Sequence, residues 1–248
     1  MGAPPPAPLH RDMTVHLLGG PWITIDGTHR EVPEGSKRLL AFLALDRRPL
    51  DRHYVAGTLW PNSDENRAGG CLRTGLWRLR QAGLDVVQGS KVSLFLTPEV
   101  RVDSEEAAGW ADRVLGGIPT SEDLRLGSTT FCALDLLPGW FDDWVWSHRE
   151  RLRQRVLHAL DRVGQILCAR REFAQAVEVA SAAVCAEPLR ESAQRVLVDV
   201  HLAEGNLMEA RRAFARFERH LWNELRVQPS PDFYARVGLT QVSPDARG

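Results

Sequence analysis

Two stretches of this chain, EFAQAVEVASAAV and NLMEARRAFARFE, match at a separation of 34 residues, so that Ala176 falls on Ala210 and Ala180 on Phe214. Each follows a helical segment and a tight turn, Arg170-Arg171 in the first case and Glu204-Gly205-Asn206 in the second. Pro188 follows the first stretch, and Leu225, Pro229 and Pro231 follow the second. A helix-turn-helix period of about 34 residues is that of tetratricopeptide-type repeats, which stack because one helix pair cannot bury its own apolar face. Ala174, Ala176 and Ala180 are the small side chains that a closely approached second helix needs. Ordinary antiparallel helices of a bundle are the competing arrangement. Just upstream, SHRERLRQRVLHALDRVGQIL sets Leu152, Val156, Leu160, Val163 and Leu167 on one helical face. A loop at Asp135-Leu136-Leu137-Pro138-Gly139 feeds an aromatic cluster of Trp140, Phe141, Trp144 and Trp146.

The first hundred residues have another texture. MTVHLLG and PWITIDG are short β-prone runs parted by Gly19, Gly20 and Pro21. Three helical segments follow. SKRLLAFLALD has Ser36 as a candidate N-cap, and DRHYVAGTLW is stopped by Pro61. The third runs from about Glu65 to Ala82 and is ended by Gly83. Asp85 to Phe95 then reads as strand, turn and strand, with Lys91 at the tip. Strands, three helices and a hairpin in that order are the layout of a winged helix. Its third helix enters the major groove of DNA while the hairpin reaches an adjacent backbone or minor groove.

The third helix has the residues for that work. In LRTGLWRLR, Leu72, Leu76 and Leu79 span about 60° of the helix surface, an apolar stripe to bury. Arg67, Thr74, Trp77, Arg78 and Gln81 point broadly away from it, with Arg73 and Arg80 on a flank. Guanidinium groups so placed can meet phosphates or guanine edges. Arg78 is the candidate base contact, and Arg73 and Lys91 are candidate phosphate contacts.

The net charge of -1 hides an uneven distribution. Residues 36 to 95 carry ten Lys/Arg against five Asp/Glu, whereas residues 96 to 145 carry three Arg against ten Asp/Glu. A local anionic partner fits the first segment; a uniformly basic coat is excluded. Chemistry of other kinds finds no support. Cys71, Cys132, Cys168 and Cys185 form no CxxC pair, and the eight histidines are scattered singly. Gly19-Gly20 has neither the later glycine nor the Lys-Ser/Thr ending of a phosphate loop. Ser147 and His148 have no positioned third partner, so no enzyme, metal or cofactor is expected. No apolar run is long enough for a membrane span, and a cytoplasmic protein is the expectation.

The chain resembles the bacterial transcriptional activator family known from the antibiotic regulatory proteins of actinobacteria. The resemblance covers nearly all of residues 13 to 236 and rests on SKRLLAFLAL, Leu59-Trp60, LRTGLWRLR, DLLPGWFDDWV, ERLRQRVLHAL, EPLRESAQRVLVDVHLAEGNLMEA and ELRVQPSP. It implies a response-regulator-type winged helix over residues 13–102 and an all-α, tetratricopeptide-like activator domain over 103–238. A disordered leader at 1–12 and a flexible tail at 239–248 would flank them. It further implies sequence-specific binding of double-stranded DNA through Arg67, Arg73, Thr74, Trp77, Arg78, Arg80 and Lys91. Self-association on repeated sites and recruitment of RNA polymerase go with it, with Trp140 and Trp144 packing the junction. Gly69, Gly70 and Gly75 in the third helix depart from the pattern, each costing about 0.8–1 kcal/mol against alanine where exposed. Trp77 and the wing GSKVSLF depart as well. These departures favour the alternative, a member with weak or lost DNA binding that acts as a protein-interaction scaffold through its repeats.

Overall fold

Turn chemistry decides the N-terminal sheet. Met13–His16 (β1) and Trp22–Ile25 (β2) pair antiparallel, with Val15 opposite Ile23 and both fully buried. A further strand, Thr28–Arg30 (β3), was not expected from the sequence. It returns from β2 through Asp26-Gly27, both at positive φ (48° and 74°), the two-residue hairpin turn that an Asp-Gly pair favours. In this computed structural model, which describes residues 12–125 and 134–239, the proposed leader and tail lie outside the described residues apart from Asp12 and Leu239.

Three helices follow: Glu34–Asp46 (α1), Arg52–Leu59 (α2) and Glu65–Gln81 (α3). They pack with a second sheet in which Leu50–Asp51 (β4), Val87–Gly89 (β5) and Ser93–Leu96 (β6) lie in the order β4-β6-β5. The strand Arg101–Val102 (β7) runs parallel to β1 and completes the first sheet, in the order β3-β2-β1-β7. Leu39, Leu40 and Leu43 of α1, Val55 and Leu59 of α2, Leu72 and Leu79 of α3 and Leu94 of β6 form the core. Ser36 does not cap α1. The helix begins at Glu34 after Pro33 with no side-chain cap, and Ser36 is fully buried, its hydroxyl donating to the Gly75 carbonyl at 2.9 Å.

The remainder is helical: Asp103–Leu115 (α4), Asp143–Ala169 (α5), Phe173–Ala186 (α6), Glu191–Glu204 (α7), Leu207–Leu225 (α8) and Pro231–Arg236 (α9). Packing divides the chain into two units. One runs to Ala107 and includes Asp135–Leu152; the other includes Ala108–Leu134 and the chain from Arg153 onward. In the first unit the 135–140 loop is held by Arg149, whose guanidinium donates to the carbonyls of Leu136, Leu137 and Trp140. The aromatic cluster divides there. Trp144 stands edge-on to Phe42 of α1 and to Trp140, while Phe141 (88% exposed) and Trp146 (63%) face outward.

The second unit has the expected repeat. Ala176 and Ala180 on α6 and Ala210 and Phe214 on α8 are all buried. The turns before the two helices are alike as well: Arg171 and Gly205, 34 residues apart, both adopt the left-handed conformation (φ 64° and 91°). Ala174, expected to pack, is exposed, because it falls on the outer face of α6. The α5 stripe of Leu152, Val156, Leu160, Val163 and Leu167 is buried as its spacing requires.

One ion pair of this unit yields a prediction. Asp123 accepts from Arg113 Nη2 at 2.7 Å and from the amide and hydroxyl of Thr120 at 2.9 and 2.8 Å. Foremost the Arg113 hydrogen bonds, then those from Thr120, hold its carboxyl down at about 2. An unfolded Asp titrates near ~3.9, so the pair's stabilisation is complete above that pH and is lost as pH falls toward the folded value. Wild type should therefore exceed Asp123→Asn in urea stability by a constant margin above about pH 5 that narrows by about pH 3. A margin independent of pH would show that the pair contributes nothing.

Candidate nucleic-acid interface

Asp64 starts α3, its carboxylate accepting the Arg67 amide at 2.9 Å. The helix buries Ala68, Leu72, Gly75 and Leu79. This seam runs through Gly75 rather than Leu76, which is half-buried beside the wing. Gly75 is therefore a packing residue and not an exposed, helix-weakening one. A Cβ there would stand 3.3 Å from Leu39 Cδ2, and the close approach lets Ser36 reach the Gly75 carbonyl. Gly69 and Gly70 differ, since a Cβ on either would meet only the Arg73 side chain within 4 Å.

Opposite the seam, Arg67, Arg73, Thr74, Trp77, Arg78 and Arg80 are exposed, Trp77 by 59%. They fall on two flanks. Arg73, Trp77 and Arg80 line a depression of about 280 Å³ with Gln88, Gly89 and Ser90 of the wing. Arg67, Thr74 and Arg78 lie on the other flank by helical geometry. The Arg78 guanidinium there covers Gly35 at the start of α1, where a Cβ would collide with its Nη1. Thr74 donates its hydroxyl to the Gly70 carbonyl at 3.0 Å, leaving its oxygen as an acceptor.

The wing is built for a tight tip. Ser90 Oγ accepts the amides of Val92 and Ser93, both at 3.1 Å, and Lys91 stands exposed between Ser90 and Val92. Gly89 is required, because a Cβ would strike the Ser93 carbonyl. Lys91 and Arg73 share a larger depression, about 600 Å³, lined also by Asn66 and Gly69. One residue of this surface escaped the sequence reading. Arg52, at the start of α2, lines both depressions. Its amide donates to the Val92 carbonyl at 2.9 Å and its Nη1 to the Ser90 carbonyl at 3.3 Å. The only local signal was the Asp51 N-cap before it, which accepts the amides of His53 and Tyr54 and says nothing of the wing.

Among the described residues no acid pairs with Arg52, Arg67, Arg73, Arg78, Arg80 or Lys91. Six cations with no ion-pair partner on one helix, its neighbour and a hairpin form a surface suited to a polyanion, although Glu65, held by His53 at 2.8 Å, also lines the larger depression. Among the described residues no cluster of His, Cys, Asp and Glu could hold a metal ion, and no helix is long and apolar enough to cross a membrane.

A mixed α/β unit of winged-helix form is thus followed in the chain by all-α repeats. The family model of the bacterial transcriptional activator domain matches residues 103–236, and the chain belongs to that family. Among solved structures, Mycobacterium tuberculosis EmbR, in complex with a low-affinity phosphopeptide, shares the fold with a TM-score of 0.67 and 19% identity over 92% of this chain. This chain spans 64% of the length of that one. No curated protein matches it.

Proposed function

We propose that this chain is a sequence-specific DNA-binding activator of the antibiotic regulatory type, using α3 and the wing to bind repeated promoter sites. The observation that carries the reading is the unpaired cationic surface on α2, α3 and the wing. The helical repeats would hold a second protomer or RNA polymerase. Direct-repeat sites about one helical turn apart would bring two protomers to one face of the DNA, about 34–36 Å apart. Packing at Gly75 supports this over the scaffold alternative, since it removes one of the three supposed weak points of α3.

The test uses the intact protein on the duplex upstream of its own gene and on a scrambled duplex of equal length. Affinity should fall steeply with salt, as bound phosphates release counterions. Arg78→Ala should cost about 1–3 kcal/mol on the native duplex and little on the scrambled one, the mark of a base contact. Lys91→Ala should weaken both about equally. A response flat from about 50 to 300 mM salt would remove the DNA reading. Equal losses for Arg78→Ala on the two duplexes would move Arg78 from base to backbone.

A further inference from the structure

We infer, resting on that DNA reading, that Arg52 and Arg73 together hold a single backbone phosphate between the recognition helix and the wing. They are the two cations that line both depressions, one from the start of α2 and the other from the middle of α3. Neither has an acidic partner among the described residues, so each guanidinium raises the potential the other feels until an anion arrives. A phosphodiester oxygen pair accepts from guanidinium forks at short range and removes that repulsion. Arg52 has the donors to spare. Of the five N–H groups of a guanidinium, one is spent on the Ser90 carbonyl, which leaves donors for an anion in the depressions that Arg52 lines.

That same bond gives Arg52 a positioning role. It ties the Ser90–Ser93 turn to the start of α2, and so keeps Lys91 over the depression that Arg73 shares. Gly69 adds to the seat. It lines the larger depression, and nothing but the Arg73 side chain would meet a Cβ there, so bare backbone leaves room for a sugar–phosphate strand.

A phosphate seat is indifferent to sequence, so the probe is a fluorescein-labelled random duplex of about 30 base pairs, followed by anisotropy with the full chain as salt is raised. Each phosphate released contributes about 0.9 to the slope of log K against log salt. The double variant R52A/R73A should flatten the slope by about 0.9, one phosphate, and each single variant by less. R52K should restore the wild-type slope. R52Q, which keeps a donor for the turn but no charge, should match R52A and guards against a misplaced wing. R48A serves as control, since Arg48 is engaged by Asp46 and lines neither depression. A loss of about 1.8 in the double variant would mean two separate phosphates, and an unchanged slope for R52A would mean none; either overturns the inference while DNA binding stands. No salt-dependent binding by the wild type would overturn both readings together.

Discussion

Ala210→Arg is expected to destabilise the helical unit by about 3–5 kcal/mol, the largest effect of any substitution considered for this chain. Ala210 is fully buried where α8 packs in the repeat, and the alanine 34 residues earlier, Ala176, is buried in the same way on α6. An arginine there overfills a small site and carries an uncompensated charge into it. Ala174→Arg is the contrast. Its site faces solvent, so the change should stay within about 0.5 kcal/mol. Chemical denaturation of the full chain, followed by far-UV circular dichroism, distinguishes them. Equal behaviour of the two variants would mean that the 34-residue match does not govern the packing.

Gly75→Leu should follow, costing the winged-helix unit about 1–3 kcal/mol through overpacking. The first added carbon already stands 3.3 Å from Leu39 Cδ2, and the rest of the side chain must push α1 from α3 and stretch the Ser36–Gly75 hydrogen bond. The sign decides the matter. Were Gly75 solvent-facing, leucine would instead stabilise the helix, by up to about 0.8–1 kcal/mol on propensity alone. A rise in melting temperature would refute the packing assignment.

These two positions show what was legible in the sequence. The repeat could be read because two periodicities coincide, the apolar spacing and the turn: Arg171 and Gly205 take the same left-handed conformation one period apart. The winged helix could be read from the order of strands, helices and hairpin, and α3 from its leucines. Gly75 could not be assigned, since a helical glycine looks the same in sequence whether it packs or is bare. Leu76 belonged to the leucine stripe by type, but the seam passes through Ala68, Leu72, Gly75 and Leu79. Ser36 resembled a cap because short polar residues before an apolar run usually are, whereas its actual partner lies 39 residues away. The β3 strand was written in the Asp26-Gly27 turn, whose hairpin signal the residues around it obscured.

The candidate interface was legible by element and not by neighbour. Arg73, Trp77, Arg80 and Lys91 line the depressions beside the wing, but Arg52 reaches them only because α2 starts against the wing turn, where β4 pairs with β6. That pairing is a tertiary fact that no local spacing records. The same holds for Arg78, whose outward helical position is clear in sequence while its lean over Gly35 is not.

Genome-wide mapping of the intact protein's binding sites decides whether this chain acts at repeated promoter sites. Reproducible peaks are expected upstream of genes, containing direct repeats about one helical turn apart, and they should be lost when Arg73 and Lys91 are both changed to alanine. Absence of peaks where the protein is expressed, with purified protein ignoring its own upstream DNA, would contradict the activator reading.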